Sequence, residues 1–340
     1  MVRLTFAAAV AGALVWSATA IAAPAPEPFG QETVETRAPR SPPKARPGAH
    51  RHDHGLDEHG HVHRPGEAHA HHEGDGHAHG IETENLFGFT LGSDTDHAGA
   101  KAVAVEIVGR FGKRGSYAAI GQKLEFGYAI TDDLSVAFGV FADYHRIKGV
   151  PDLDDVRFFG FNGLGGEVRW RLLRRGQYPI GVTIHIEPSW QTHDELTGIR
   201  AVKYGSENKL IFDAELIKEQ LFAAFNILYD VERVRERGSD EWEKGSLFGF
   251  AAAATYQVMP NTFVGAELRY LRAYEGLTLK TFTGDAVFVG PTLFARIGEN
   301  AWIAIAWNVQ VWGKGVGGSR HLNLADFERH HVRIKAGMEF

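Results

Sequence analysis

The 340-residue sequence has no cysteine, three methionines, no excess of positive charge and no second long apolar run after the first one. Without cysteine there are no disulfides, thiolate zinc sites, iron–sulfur clusters or cysteine nucleophiles. A polytopic helical membrane protein would need repeated apolar runs of about 20 residues. A formal net charge of −6 gives no general attraction to nucleic acid. Neither a Gly-x-Ser-x-Gly elbow nor a His-Glu-x-x-His pair occurs, so the sequence signatures of serine hydrolases and zinc proteases are missing too. What is present is 40 glycines, 22 phenylalanines and 18 histidines in a chain that is 44% hydrophobic. That combination fits a membrane protein whose apolar residues are hidden by alternation.

The N-terminal run, residues 1–23, reads as a secretory signal peptide. Arg3 supplies the positive start, Leu4 to Trp16 the apolar stretch, and Ala18-Thr19-Ala20 and Ala20-Ile21-Ala22 the small-x-small cleavage sites. Residues 24–80 show no hydrophobic period and are expected to be a disordered linker. Within them, positions 50–79 hold eleven histidines: His50, His52, His54, His59, His61, His63, His69, His71, His72, His77 and His79. Most form His-x-His, which in an extended chain puts both rings on one side, and Asp53, Asp57, Glu58, Glu67, Glu73 and Asp75 lie among them. Neutral imidazoles on such a segment suit zinc, copper or nickel. The alternative is a solubilising spacer that charges as pH falls through about 6.5. No obligatory cofactor is expected.

From Lys101 to Phe340 the pattern changes to segments of about ten residues in which apolar side chains alternate with polar or small ones. Leu124, Phe126 and Tyr128 oppose Lys123 and Glu125; Val168, Trp170 and Leu172 oppose Glu167, Arg169 and Arg171; Val332, Ile334 and Ala336 oppose Arg333 and Lys335. Period two is the strand signal. Twelve strands are predicted, at 101–112, 116–130, 134–146, 157–173, 179–191, 207–217, 221–233, 246–258, 263–274, 283–296, 302–312 and 327–340. Tight connections alternate with mostly longer ones, the rim pattern of an outer-membrane barrel. An even count sets both ends of the barrel on the short-turn, periplasmic side. Residues 210–237 also satisfy a helical period, but a helix there would leave an odd strand number. Trp302 and Trp312 bracket one strand about 33 Å apart, which at a tilt near 40° projects to about 25 Å, the height of a barrel's apolar band. A soluble sandwich would not need such belts, and a soluble eight-stranded barrel would not need so many strands.

The polar side of each strand then faces a lumen. Its acids are Glu106, Glu125, Glu167, Glu187, Asp213, Glu215, Glu267 and Glu339; its bases are Arg110, Lys123, Arg169, Arg171, Arg269, Arg333 and Lys335. Near-balance of sign favours cross-strand ion pairs that leave a narrow aqueous path. His185 and Ser189 share that face with Glu187, but a four-residue step along a strand is about 13 Å, too far for a nucleophile and its base. No catalytic residue is expected, and an outer-membrane hydrolase is the minor alternative. Residues 82–100, with Asp94, Asp96 and His97, either plug the lumen or cap the first strand.

The ending Met338-Glu339-Phe340, after Val332 and Ile334, resembles the C-terminal signature of bacterial outer-membrane barrels. This resemblance implies recognition of the last strand by the barrel-assembly machinery through Phe340. Asn85-Leu86-Phe87-Gly88-Phe89-Thr90, Gly92-Ser93-Asp94, Gly109-Arg110-Phe111-Gly112-Lys113 and the segment from Phe282 to Phe294 resemble a proteobacterial family of uncharacterised outer-membrane proteins. That likeness covers most of 82–340 and implies no site residue. The expectation is thus an all-β transmembrane antiparallel barrel of about twelve strands, residues 101–340, after a pre-barrel segment 81–100 and a histidine-rich tail. Its expected surroundings are outer-membrane lipid, with a divalent metal as partner and no nucleic acid. A porin-like solute or ion pathway comes first, transition-metal uptake or buffering second, and a purely structural barrel last.

Overall fold

The computed structural model describes residues 81–316 and 321–340. The expected leader, linker and all eleven tail histidines lie outside these residues. Twelve strands follow in order: β1 (Lys101–Phe111), β2 (Ser116–Thr131), β3 (Leu134–Lys148), β4 (Val156–Leu173), β5 (Gly181–His193), β6 (Arg200–Ile217), β7 (Leu221–Glu236), β8 (Glu243–Met259), β9 (Thr262–Glu275), β10 (Thr281–Ile297), β11 (Ala301–Gly315) and β12 (His330–Glu339). Each pairs antiparallel with its sequence neighbours, and β1 pairs with β12 from Ala102↔Glu339 to Phe111↔His330, closing the barrel. Closure removes the two sheet edges that an open twelve-stranded sheet would expose.

Residues 210–237 form the β6–β7 hairpin, with Leu210↔Ile227 and Phe212↔Phe225 in register. Neighbouring strands therefore override the helical spacing of Leu221, Phe225 and Leu228. Strand β6 starts at Arg200, seven residues before its predicted start, so the expected long loop 192–206 contracts to 194–199. One rim carries the short turns. Between β8 and β9 the turn is only Pro260-Asn261, with Asn261 at φ 63°, and proline followed by a positive-φ asparagine fits a type II turn. Both ends of the barrel meet at this rim, where Lys101 and Phe340 exchange backbone hydrogen bonds of 3.2 and 2.9 Å.

Alternation sorts the two faces. On β4, Glu167 and Arg169 are buried inside while Trp170 is 55% exposed outside. Large apolar residues such as Phe126, Phe138, Phe161, Leu268 and Trp307 stand exposed on the outer wall. Exposed aromatics cluster toward its two ends: Tyr128, Trp170 and Tyr256 near the short turns, Phe159, Trp190, Tyr204 and Trp312 near the long loops. The tryptophan bracket expected on β11 is corrected here. Trp302 has the parity of Ala304 and Ala306, points inward and is buried, while an irregularity in the β10–β11 pairing beside Val287 restores Trp312 to the outside.

Candidate functional site: a plugged lumen

Eight strands leave an interior just wide enough for side chains, whereas sixteen leave an open aqueous channel. Twelve lie between, and here the extra space is filled by the chain itself. Residues 82–94 thread into the short-turn half of the lumen. Leu86 and Phe87 are fully buried against Ala104, Phe222, Ala224, Ala253, Phe263, Phe294, Trp302 and Ala304, all inward-facing wall residues. The alanines make the room and the aromatics line it. Gly88 takes φ +87°, and a Cβ there would stand 2.8 Å from that of Ala306 and 2.9 Å from Cγ2 of Thr292.

Polar wall residues hold the rest of the segment by its backbone, which has no strand partner of its own and must be satisfied once buried. Glu267 accepts from Phe89 N (3.2 Å), Thr90 N (2.9 Å) and Thr90 Oγ1 (3.0 Å), and also from Asn308 Nδ2 (2.5 Å). Asn226 meets Leu91 as another backbone would, accepting from its N–H at 2.8 Å and donating to its carbonyl at 2.9 Å. Asp213 accepts from Ser93 N (3.0 Å), Ser93 Oγ (2.6 Å), Arg175 Nη1 (2.8 Å) and the Thr83 hydroxyl. Arg169 donates to the carbonyls of Gly92 (2.7 Å) and Asp94 (3.1 Å), and Arg333 to that of Gly88. Arg175 also reaches Asp94 at 2.6 Å. Of the two roles open to residues 82–100, this one is a plug.

At the other rim, two connections fold inward. In 194–199, Glu195 pairs with Arg110 at 3.5 Å and its carbonyl meets His145 Nε2 at 2.9 Å, while the Leu196 carbonyl accepts from Tyr117 at 2.8 Å. In 321–329, Asn323 exchanges hydrogen bonds with Gln310, Lys113 donates to the Ala325 carbonyl at 2.7 Å, and Phe327 packs on Phe288 and Leu271. Burial pushes Glu195 up, but the charges of Lys203 and Arg110 and a hydrogen bond from Gln191 outweigh it and hold Glu195 at about 2. Glu328 is likewise held at about 2, its burial outweighed by the His331 hydrogen bond and by Lys113.

Between plug and lids lies a chamber of about 430 Å³, bounded by Glu84, Phe89 and Leu91 below and Glu195, Leu196 and Phe327 above. Ion pairs cover its wall: Lys123 with Glu125, with Glu187 at 2.6 Å and with Glu167 at 3.4 Å; Lys335 with Glu125 at 3.3 Å; Arg333 with Glu106 at 2.8 Å; Lys209 with Glu207 at 3.1 Å. Among the described residues, eleven carboxylates and eight fixed cations line the chamber. The strands themselves supply seven acids and eight bases, close to the balance expected, and the plug and lids add Glu84, Glu195, Asp326 and Glu328.

The residues expected to face the lumen thus divide by height. Asp213, Glu267, Arg169 and Arg333 anchor the plug. Glu106, Arg110, Lys123, Glu167, Glu187, Arg269 and Lys335 belong to the chamber wall, which Arg169 and Arg333 also line. Glu125 is buried beside them, paired with Lys123 and Lys335, and Arg269 lies 4.2 Å over the Phe89 ring. Arg171, Glu215 and Glu339 lie at the short-turn rim. Arg171 bonds Asp133 at 2.9 Å and Asp94 at 3.4 Å, Glu215 is exposed and accepts from the Glu219 amide, and Glu339 lies with Glu82 and Asp96. Lys203, Glu207 and Lys209 also line the chamber. Extending the alternation of β6 back from Asp213 by twos reaches all three.

Fold and lumen together define the class: a closed antiparallel β-barrel, apolar outside and polar within, plugged by its own N-terminal segment. The chain belongs to a family of unknown function, DUF6662, whose model matches residues 79–340. The barrel is similar to the COG4313 outer membrane channel from Pseudomonas putida F1, at 11% identity over 73% of this chain and 98% of that one, with a TM-score of 0.47. It is also similar to the beta domain of the Bordetella autotransporter BrkA, at 12% identity over 72% and 100% with a TM-score of 0.46. Likeness to the NanC porin is 13% identity over 69% and 98%, TM-score 0.40. No curated protein sequence matches the chain.

Proposed function

We propose that this protein is an outer-membrane channel for small polar or cationic solutes, closed at rest by its plug and lids. The observation that carries this reading is the charged chamber inside a wall whose outer face is apolar. A wall built only for stability has no need of about 430 Å³ of polar space, a size in the range of small-ligand sites. The outer face suits lipid. On β4 the exposed Phe159 and Trp170 lie eleven residues apart, roughly 36 Å along the strand, which at a 40° tilt spans a band of about 25–30 Å.

Short turns on one rim and longer loops on the other support a periplasmic side for the plug. The eleven tail histidines would bind transition metal. The acidic excess of the chamber favours cations over anions. A vesicle-swelling assay tests the pathway. Vesicles holding wild-type protein are expected to admit small solutes slowly, and vesicles holding Phe87→Asp, which places a charge in the plug's own apolar contact with the wall, to admit them quickly. Equal and negligible swelling by both, with the variant barrel folded, would leave a structural barrel as the reading.

A further inference from the structure

The chamber wall contains one cluster whose chemistry differs from its ion pairs. His185 and Glu187 alternate on β5, so both side chains leave the same face. Val168 pairs with Ile186 and Arg169 with His185, which brings Glu167 of β4 across from Glu187. One ligand atom from each of Glu167, His185 and Glu187 lies within 4.8 Å of the other two. His185 Nε2 stands 3.6 Å from Glu167 Oε2 and 3.7 Å from Glu187 Oε2, too far for hydrogen bonds. Yet both ring nitrogens are buried without a hydrogen-bond partner among the described residues, in a side chain only 2% exposed. Buried polar atoms of this kind are rare, and each one calls for a partner. Here an unpartnered nitrogen is aimed at two carboxylate oxygens with a gap between them.

The gap has the dimensions of an ion. Zinc-type bonds of about 2.0–2.2 Å in a tetrahedron set ligand-to-ligand edges of roughly 3.3–3.6 Å, close to the two separations observed. We propose that Glu167, His185 and Glu187 form a site for a divalent transition cation, with a further coordination position facing the chamber that all three line. One imidazole with two carboxylates and no thiolate selects a borderline cation such as Zn²⁺ over Ca²⁺ or Mg²⁺. Lys123 reaches Glu187 through the other oxygen, Oε1, at 2.6 Å, and leaves Oε2 toward His185. On Glu167 it stands 3.4 Å from Oε2 itself, so its ammonium neutralises the carboxylates and competes with the ion for that oxygen. The site stands whether or not the barrel conducts.

The test uses full-length protein in which the eleven tail histidines are replaced by asparagine, from His50→Asn to His79→Asn, so that the tail offers no imidazole. Titration with Zn²⁺, and with Co²⁺ as a spectroscopic probe, is expected to show one equivalent bound, with the strong visible bands of tetrahedral Co²⁺. His185→Ala and Glu187→Gln, each checked for barrel folding by heat-modifiable gel migration, are expected to weaken Zn²⁺ binding at least tenfold and to abolish those bands. Lys123→Met is expected to tighten binding. A tail-substituted protein that binds no Zn²⁺ overturns the proposal. So does one whose binding is unchanged by His185→Ala and Glu187→Gln, or weakened by Lys123→Met.

Discussion

Asp213 is a point of convergence in the plug, where four donors meet on two buried carboxylate oxygens. Leaving buried donors unpaired costs about 1–3 kcal/mol each. Asp213→Ala is therefore expected to shift the plug toward release by at least tenfold, which is about 1.4 kcal/mol. Limited proteolysis within 81–97 of the reconstituted protein checks this, and wild-type resistance in the variant would contradict it. A second residue gives the plug a pH dependence. Burial, and then the charges of Glu84 and Glu82, raise Asp96 to about 7 from its ordinary 3.8. A carboxyl raised by folding binds its proton more readily in the docked state. Its favourable contribution is full below about pH 4 and is lost as pH rises through about 7. Hydrogen exchange at Thr95 and Asp96 is expected to be faster at pH 8 than at pH 6 after correction for intrinsic rates, and Asp96→Asn to remove the difference. Glu195 and Glu328, held near 2, keep their charge across the same range, so the lids should not follow this titration.

At the scale of elements, the strands were legible and the plug only half so. Twelve runs of period two appear in the sequence because every strand has lipid-type residues on one side and polar ones on the other. Trp302 shows where a reading of aromatics as belts fails. Its even parity, shared with Ala304, placed it inside, and it caps the plug beside Phe294 at a ring separation of 6.3 Å. The plug has no period to read, since its backbone bonds are made to side chains of β4, β5, β6, β7, β9 and β12 that are distant in sequence. Asn226, paired to Leu91 across 135 positions, carries no local signal of that role. The apolar part of the element is tested by Phe87→Ala. Truncating a fully buried phenylalanine costs about 3–5 kcal/mol, and here the loss falls on docking of the plug. The variant is expected to keep its strand content by circular dichroism while residues 82–94 lose exchange protection. Retained protection would show that the polar anchors hold the plug alone.

For the whole molecule, an even strand number, closure between β1 and β12, and two belts of exposed aromatics agree on one architecture. The division of the lumen into plug, chamber and lids depends on pairings that only the closed barrel creates. The acidic excess of the chamber comes from the plug and the lids, which add Glu84, Glu195, Asp326 and Glu328 to a strand wall of nearly balanced charge. Once the plug is loosened, the channel is expected to prefer cations modestly, read as a reversal potential in a salt gradient; an anion preference would contradict the acidic chamber. The most direct measurement is single-channel recording in planar bilayers, comparing wild-type protein with an Asp213→Ala, Glu267→Gln double variant of verified fold. The wild type is expected to stay mostly closed with rare openings, and the variant to conduct steadily. A folded double variant as silent as the wild type would contradict the claim that residues 82–94 close a channel.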